Sequence, residues 1–169
     1  MCEQIPVNAV YELSLERIID ASPESLYRAW TEPDLLKQWF CPKPWGVAHA
    51  ELDVRAGGTN LIVMQSPDGE LFPNQGVYLE IIPNQKIVFT DAYTSAWVPS
   101  TKPFITGTIT LTDLGNGQTR YHAQVLHWNE SDKAEHEAMG FHEGWGKASD
   151  QLAELVRLAE LVRNIDKNQ

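Results

Sequence analysis

Apolar and polar positions alternate from Tyr11: Tyr11, Leu13, Leu15, Arg17 and Ile19 fall on one side, with Arg17 the one charged member. A period of two predicts a strand. At Ser22 the pattern changes. Ser22 and Pro23 supply an N-cap and a proline for the first helical position, so "SPESLYRAW" predicts a helix that Pro33 ends. A short second helix follows over "DLLKQWF" and is stopped by Pro42 and Pro44. From residue 47 the period of two returns in "VAHAELDVR", "TNLIVMQS", "GVYLEII", "KIVFTDAYT", "FITGTITLTD" and "TRYHAQVLHW". The segments are joined by Gly57-Gly58, "PDGE", "PNQ", the proline-containing loop "SAWVPSTKP" and "LGNGQ". Short strands on tight turns predict an antiparallel meander.

The last segment is helical in period. Asp132 and Glu135 have the spacing of a capping box, and the helix is expected from about Asp132 to Arg163. At about 100° per residue, Ala134, Ala138, Phe141, Trp145, Ala148, Leu152, Leu155, Ala159 and Val162 share one stripe. Gly140, Gly144 and Gly146 interrupt it beside its largest side chains, although a glycine costs a helix interior about 1 kcal/mol relative to alanine. Either they permit close approach to a sheet or they relieve crowding around Phe141 and Trp145. The order of elements is that of one α+β domain over residues 1–169, a long helix laid on one sheet.

Composition narrows the function. The formal charge is −10 and Lys and Arg form no cluster, which argues against nucleic acid and anionic membrane as partners. The start has no basic-then-apolar signal and no stretch approaches 18 apolar residues, so a cytoplasmic chain is expected. Cys2 and Cys41 are the two cysteines, and both are expected as free thiols. No Cys/His spacing matches a metal site; His136 and His142 lie six apart, roughly 240° around a helix where zinc capture needs i and i+4. No metal or cofactor is expected.

The run "MGFHEGWGKASDQLAELV" after "TRYHAQVLHW", together with "AWTEPDLLKQWFCP", "ELDVRAGG", "PDGE", "GVYLEIIP" and "IVFTDAY", resembles the START-like (SRPBCC) superfamily. It is most similar to the branch related to the C-terminal domain of the activator of the heat-shock protein 90 ATPase. The resemblance implies a helix-grip fold: a seven-stranded antiparallel sheet wrapped around the long C-terminal helix, with two short helices after the first strand. It also implies a cavity between sheet and helix that takes a small hydrophobic or amphipathic molecule. Such proteins are often labelled polyketide-cyclase-like, a statement of shape and not of a reaction. The eukaryotic activator carries a separate N-terminal chaperone-binding domain, for which these 169 residues leave no room.

Candidate cavity residues follow from parity and position. Tyr121, Ala123, Val125 and His127 share the smoother apolar side of their strand, and Phe89 and Asp91 share a side of theirs. Asp91 would either pair with Arg17 or orient a ligand. Trp39 and Trp45 flank the short helix near the expected cavity mouth, with Phe40 and Cys41 between them. Phe141 and Trp145 lie on the helix stripe, and Glu137 falls within about 40° of its centre at 100° per residue. A first-turn acid also complements the helix dipole while pointing to water. Asp53 and Arg55 read as an ion pair at the Gly57-Gly58 turn. No catalytic set emerges. The expectation is a ligand-binding domain, which could also be a homodimer. Two alternatives remain: a cofactor-independent cyclase, dehydratase or hydrolase using Tyr121, His127 and an acid, and a chaperone-associated or self-associating module.

Overall fold

A computed structural model of the protein describes residues 11–168. Strand β1 (Tyr11–Ile19) leads into helices α1 (Pro23–Thr31) and α2 (Pro33–Leu36). Six further long strands follow: β2 (Gly46–Leu52), β3 (Thr59–Gln65), β4 (Leu71–Ile82), β5 (Lys86–Thr90), β8 (Ile105–Gly115) and β9 (Gln118–His127). Between β5 and β8 lies a small hairpin, β6 (Tyr93–Ser95) and β7 (Val98–Pro99), where the sequence predicted only a loop. The chain ends in α3 (Glu130–Ala138) and α4 (Phe141–Lys167). The seven long strands form one antiparallel sheet in the order β1-β9-β8-β5-β4-β3-β2. This is the helix-grip arrangement.

The parity read from the sequence sets the faces. Leu13 and Ile19 of β1, and Tyr121, Ala123, Val125 and His127 of β9, are buried. Their alternating neighbours Glu16, Ile18 and Arg120 are exposed. Against that face lie α1, through Leu26, Ala29 and Trp30, and α4, through Phe141, Ala148, Leu152 and Val156. Ser22 caps α1 as expected, its side chain accepting from Ser25 N at 3.2 Å. One contact ties the two ends of the chain together: a Glu160 carboxylate oxygen of α4 accepts from Ser22 N and from Ser25 Oγ.

The C-terminal helix departs from expectation in three ways. It is two helices, broken at Met139–Gly140, with Gly140 at φ 93°, a left-handed conformation that glycine adopts without penalty. It begins with Asn129 as N-cap, its side chain accepting from Asp132 N at 2.8 Å, so the expected Asp132–Glu135 capping box does not form. Finally, the stripe is buried only along Phe141–Val156; Ala134, Ala138, Ala159 and Val162 are exposed. Beyond Val156, the apolar residues Leu158, Leu161 and Ile165 fall on a face more than about 100° from the buried one at 100° per residue; these three and Val162 are exposed.

The glycines of α4 divide in the same way. A Cβ at Gly144 would meet nothing within 4 Å, whereas one at Gly146 would sit 3.2 Å from Arg17 Nη2. Close approach to the sheet is real at Gly146 and absent at Gly144.

Candidate functional site

Between the sheet and the helices the interior holds a set of aromatic rings. Trp30 packs edge-on to Trp39 at 4.9 Å between centroids and stacks on Phe89 at 5.9 Å. Phe40 closes the group against both tryptophans. The Trp39 indole donates to Ala29 O at 2.9 Å, which fixes α1 to the segment after α2. Phe89 reaches over Gly107, where its ring occupies the place a Cβ would take. Trp39 and Phe89, both expected from the sequence, are thus brought together.

Tyr121 lies under this group, 1% exposed, with the Trp30 indole and the Ser149 hydroxyl as its polar neighbours. Burial pushes its phenol well above the usual range, so it is a neutral hydroxyl at physiological pH. Trp30 Nε1 makes no hydrogen bond of ordinary geometry and is sealed from solvent. An orphaned donor beside a neutral hydroxyl leaves a polar spot inside an otherwise apolar wall.

A second, smaller cluster lies at the start of α4. Leu13, Val125 and Phe141 are buried there, with Ile105 and Trp145 packed against them. Trp145 touches both clusters and is half-buried. At this end His127 Nε2 stands 2.8 Å from His136 Nδ1, and His127 Nδ1 stands 3.0 Å from the carbonyl of Tyr11. Phe104 packs against both imidazoles and Phe141 against that of His136. Burial, and next the neighbouring His127, push His136 down to about 4. His127 was expected at the site. His136 and Phe104 were missed, because His136 was judged only as a zinc ligand and Phe104 sits just after a proline-rich loop.

The remaining candidates lie elsewhere. Trp45 is 39% exposed and packs on Phe72, outside the interior. Glu137 points outward, 3.9 Å from His142, since the break at Gly140 turns α3 out of register with the stripe of α4. Asp91 does not pair with Arg17; one of its carboxylate oxygens accepts from Phe104 N at 2.8 Å and Ile105 N at 3.0 Å, fixing the backbone that carries Phe104. Arg17 lies 3.6 Å from Asp150 of α4 instead. Asp53 and Arg55 form the expected exposed ion pair at 2.9 Å.

The loop after α2 is clipped to α4 by one residue. Gln151 donates to Trp39 O and Cys41 O and accepts from Lys43 N. Beneath it Cys41 is buried as a free thiol, pushed up to about 11 by burial, so it is no nucleophile in this state. Cys2 lies outside the described residues. Among the described residues no three His, Cys, Asp or Glu side chains gather as metal ligands, and no helix is long and apolar enough to cross a membrane. Two open hollows, of about 470 Å³ beside Pro23 and the β4–β5 turn and about 160 Å³ between α1 and the far part of α4, are both remote from the histidine pair.

The profile of the family described as "Activator of Hsp90 ATPase homolog 1-like protein" matches residues 20–157. The chain belongs to this family. Among solved structures it is similar to a protein of Nitrosomonas europaea, with 38% identity and a TM-score of 0.85, covering 89% of this chain and 96% of that one. A protein of Chromobacterium violaceum matches at 26% identity and TM-score 0.70, over 86% and 96% of the two chains. An AHSA1-like protein of Aeromonas hydrophila shares the fold at 18% identity and TM-score 0.68, over 89% and 94%. No curated protein matches. The family profile ends at residue 157, one residue before the exposed apolar face of α4 begins.

Proposed function

We propose that the protein binds a small hydrophobic or amphipathic molecule between the sheet and α4, entering at the end covered by α3. The observation that carries this reading is the state of α3. Its nine residues lie against β1, β9 and the start of α4, yet none of them is buried. With no fully buried side chain, the helix has little beyond the half-buried His136 to hold it down, and it borders an apolar cluster of Leu13, Val125, Phe141, Ile105 and Trp145. Glycine at position 140, in a left-handed conformation with open space around it, gives the junction to α4 its freedom. Displacing α3 would uncover that apolar cluster, with His127 at its rim and His136 carried on the moving helix, which is the composition of a small-molecule site. The resemblance to the START-like superfamily implies an apolar ligand in the corresponding space.

The test is native mass spectrometry of the protein purified from its own host, followed by titration of the delipidated protein with apolar probes. Binding should quench or shift Trp145 emission, and Trp145→Phe should remove that change while leaving the other tryptophans as internal controls. Protein that arrives empty and binds no apolar probe would sink the proposal.

A further inference from the structure

The histidine pair has a polarity that follows from its partners. The Tyr11 carbonyl can only accept, so His127 Nδ1 carries the proton of their 3.0 Å contact. With both rings uncharged, His127 Nε2 must then accept, and His136 Nδ1 donates to it across 2.8 Å. The chain of donors runs one way, from α3 into β9 and on to β1, and it leaves His136 Nε2 as a lone pair with no hydrogen-bond partner among the described residues. The His136 side chain is only partly buried. The rings of Phe104 and Phe141 pack against the His136 imidazole at 5.2 and 5.1 Å between centroids. No Lys or Arg forms an ion pair or side-chain hydrogen bond with either imidazole among the described residues.

We infer that His136 Nε2 is the polar anchor of the site, and that the ligand presents to it an uncharged hydroxyl on an aromatic or otherwise apolar body. The inference rests on the ligand-binding proposal and adds the chemistry of the ligand's polar end. A neutral imidazole acceptor between two phenyl rings rewards a donor and gives a carboxylate nothing to pair with. His136 is held uncharged at neutral pH by its surroundings, so it does not become a cationic site for anions. The rings favour a flat partner that can pack edge or face against them.

Three probes separate the possibilities: 2-naphthol, its methyl ether 2-methoxynaphthalene, and 2-naphthoate, each titrated calorimetrically into the full chain and into His136→Phe. Wild type should take 2-naphthol about tenfold or more tighter than the other two, and His136→Phe should reduce it to the level of the ether while leaving the ether unchanged. Equal affinity for naphthol and ether, or a preference for naphthoate, overturns the inference and leaves the ligand-binding proposal standing. Failure of wild type to bind any of the three overturns both. A readout independent of ligands is the imidazole nitrogen spectrum of the free protein near pH 7. His136 should show a protonated Nδ1 and a bare Nε2; a cationic ring, or the opposite tautomer, overturns the anchor whatever the titrations give.

Discussion

Gly146 of α4 lies directly over Arg17 of β1, so that a Cβ at 146 would stand 3.2 Å from the guanidinium Nη2. Arg17 is the one charge on the inward side of β1, and the glycine makes room for it to reach Asp150. Gly144, two residues earlier, has no such neighbour. Gly144→Ala should therefore gain about 0.5–1 kcal/mol from helix propensity. Gly146→Leu should lose about 1–3 kcal/mol by overfilling the contact. Urea denaturation of the two variants checks this; equal and positive shifts in both would show that the close approach does not matter.

Phe89 and Gly107 make a second such pair, within the sheet. The Phe89 ring lies where a Cβ at 107 would go, and it is held there by stacking on Trp30. Gly107→Ala should cost about 1–3 kcal/mol by forcing the ring out of its stack. Near-ultraviolet circular dichroism should lose intensity in the tryptophan region. An unchanged spectrum at wild-type stability would mean that the ring has somewhere else to go.

Acid should loosen the α3 end before the rest of the fold. Burial and the neighbouring His127 push the His136 imidazole down from its ordinary 6.5 to about 4, so the unfolded chain binds its proton more readily. Its stabilising contribution is complete above about pH 6.5 and is lost as pH falls toward about 4. For a half-buried ring with solvent nearby this amounts to about 1–2 kcal/mol. Amide exchange in α3 should accelerate between pH 6.5 and pH 4.5 relative to α4, and the acceleration should shrink in His136→Phe. Uniform acceleration of both helices in both proteins would contradict this.

Gln151 governs access to Cys41. Its amide holds the carbonyls of Trp39 and Cys41 and the N–H of Lys43 to α4. Gln151→Leu strands those backbone groups and should cost about 1–3 kcal/mol. The Cys41 thiol, inert in the native protein because it is buried and its titration is pushed up, should then react with a disulfide reagent many times faster at pH 8. Unchanged reactivity would show that the loop is held by packing alone.

Much of the architecture was legible because period two and period 3.6 leave different marks, and the inward sides of β1 and β9 follow from parity alone. The break at Gly140 was not, since an apolar stripe continues through it on paper; only the backbone angle shows the turn. Glu137, which the spacing left between the stripe and water, faces water. The stripe continues past Val156 through Ala159 and Val162, yet both are exposed, because spacing marks a helix face and not whether anything packs on it. Of the site, Tyr121, His127, Phe141 and Trp145 could be placed on inward faces by strand and helix parity. His136 and Gln151 could not, because their significance lies in hydrogen bonds that no periodicity reports: to a single atom of His127 across the strand–helix turn in one case, to backbone carbonyls more than a hundred residues away in the other. Asp91 has a local role that no periodicity reports, holding two backbone N–H groups at the start of β8.

The strand order has a consequence for the protein while it is being made. Among the described residues β1 is the first strand in chain order and pairs only with β9, whose register runs from Tyr11↔His127 to Ile19↔Thr119. The start of α1 likewise waits for Glu160. Nearly the whole chain must therefore emerge before its first strand has a neighbour, and until then an apolar strand with unpaired backbone groups stays exposed. Closing so long a loop is slow compared with making the β2–β3–β4–β5 meander, which can pair as it emerges. The meander is the natural first product of synthesis, and the grip around the helix is the last.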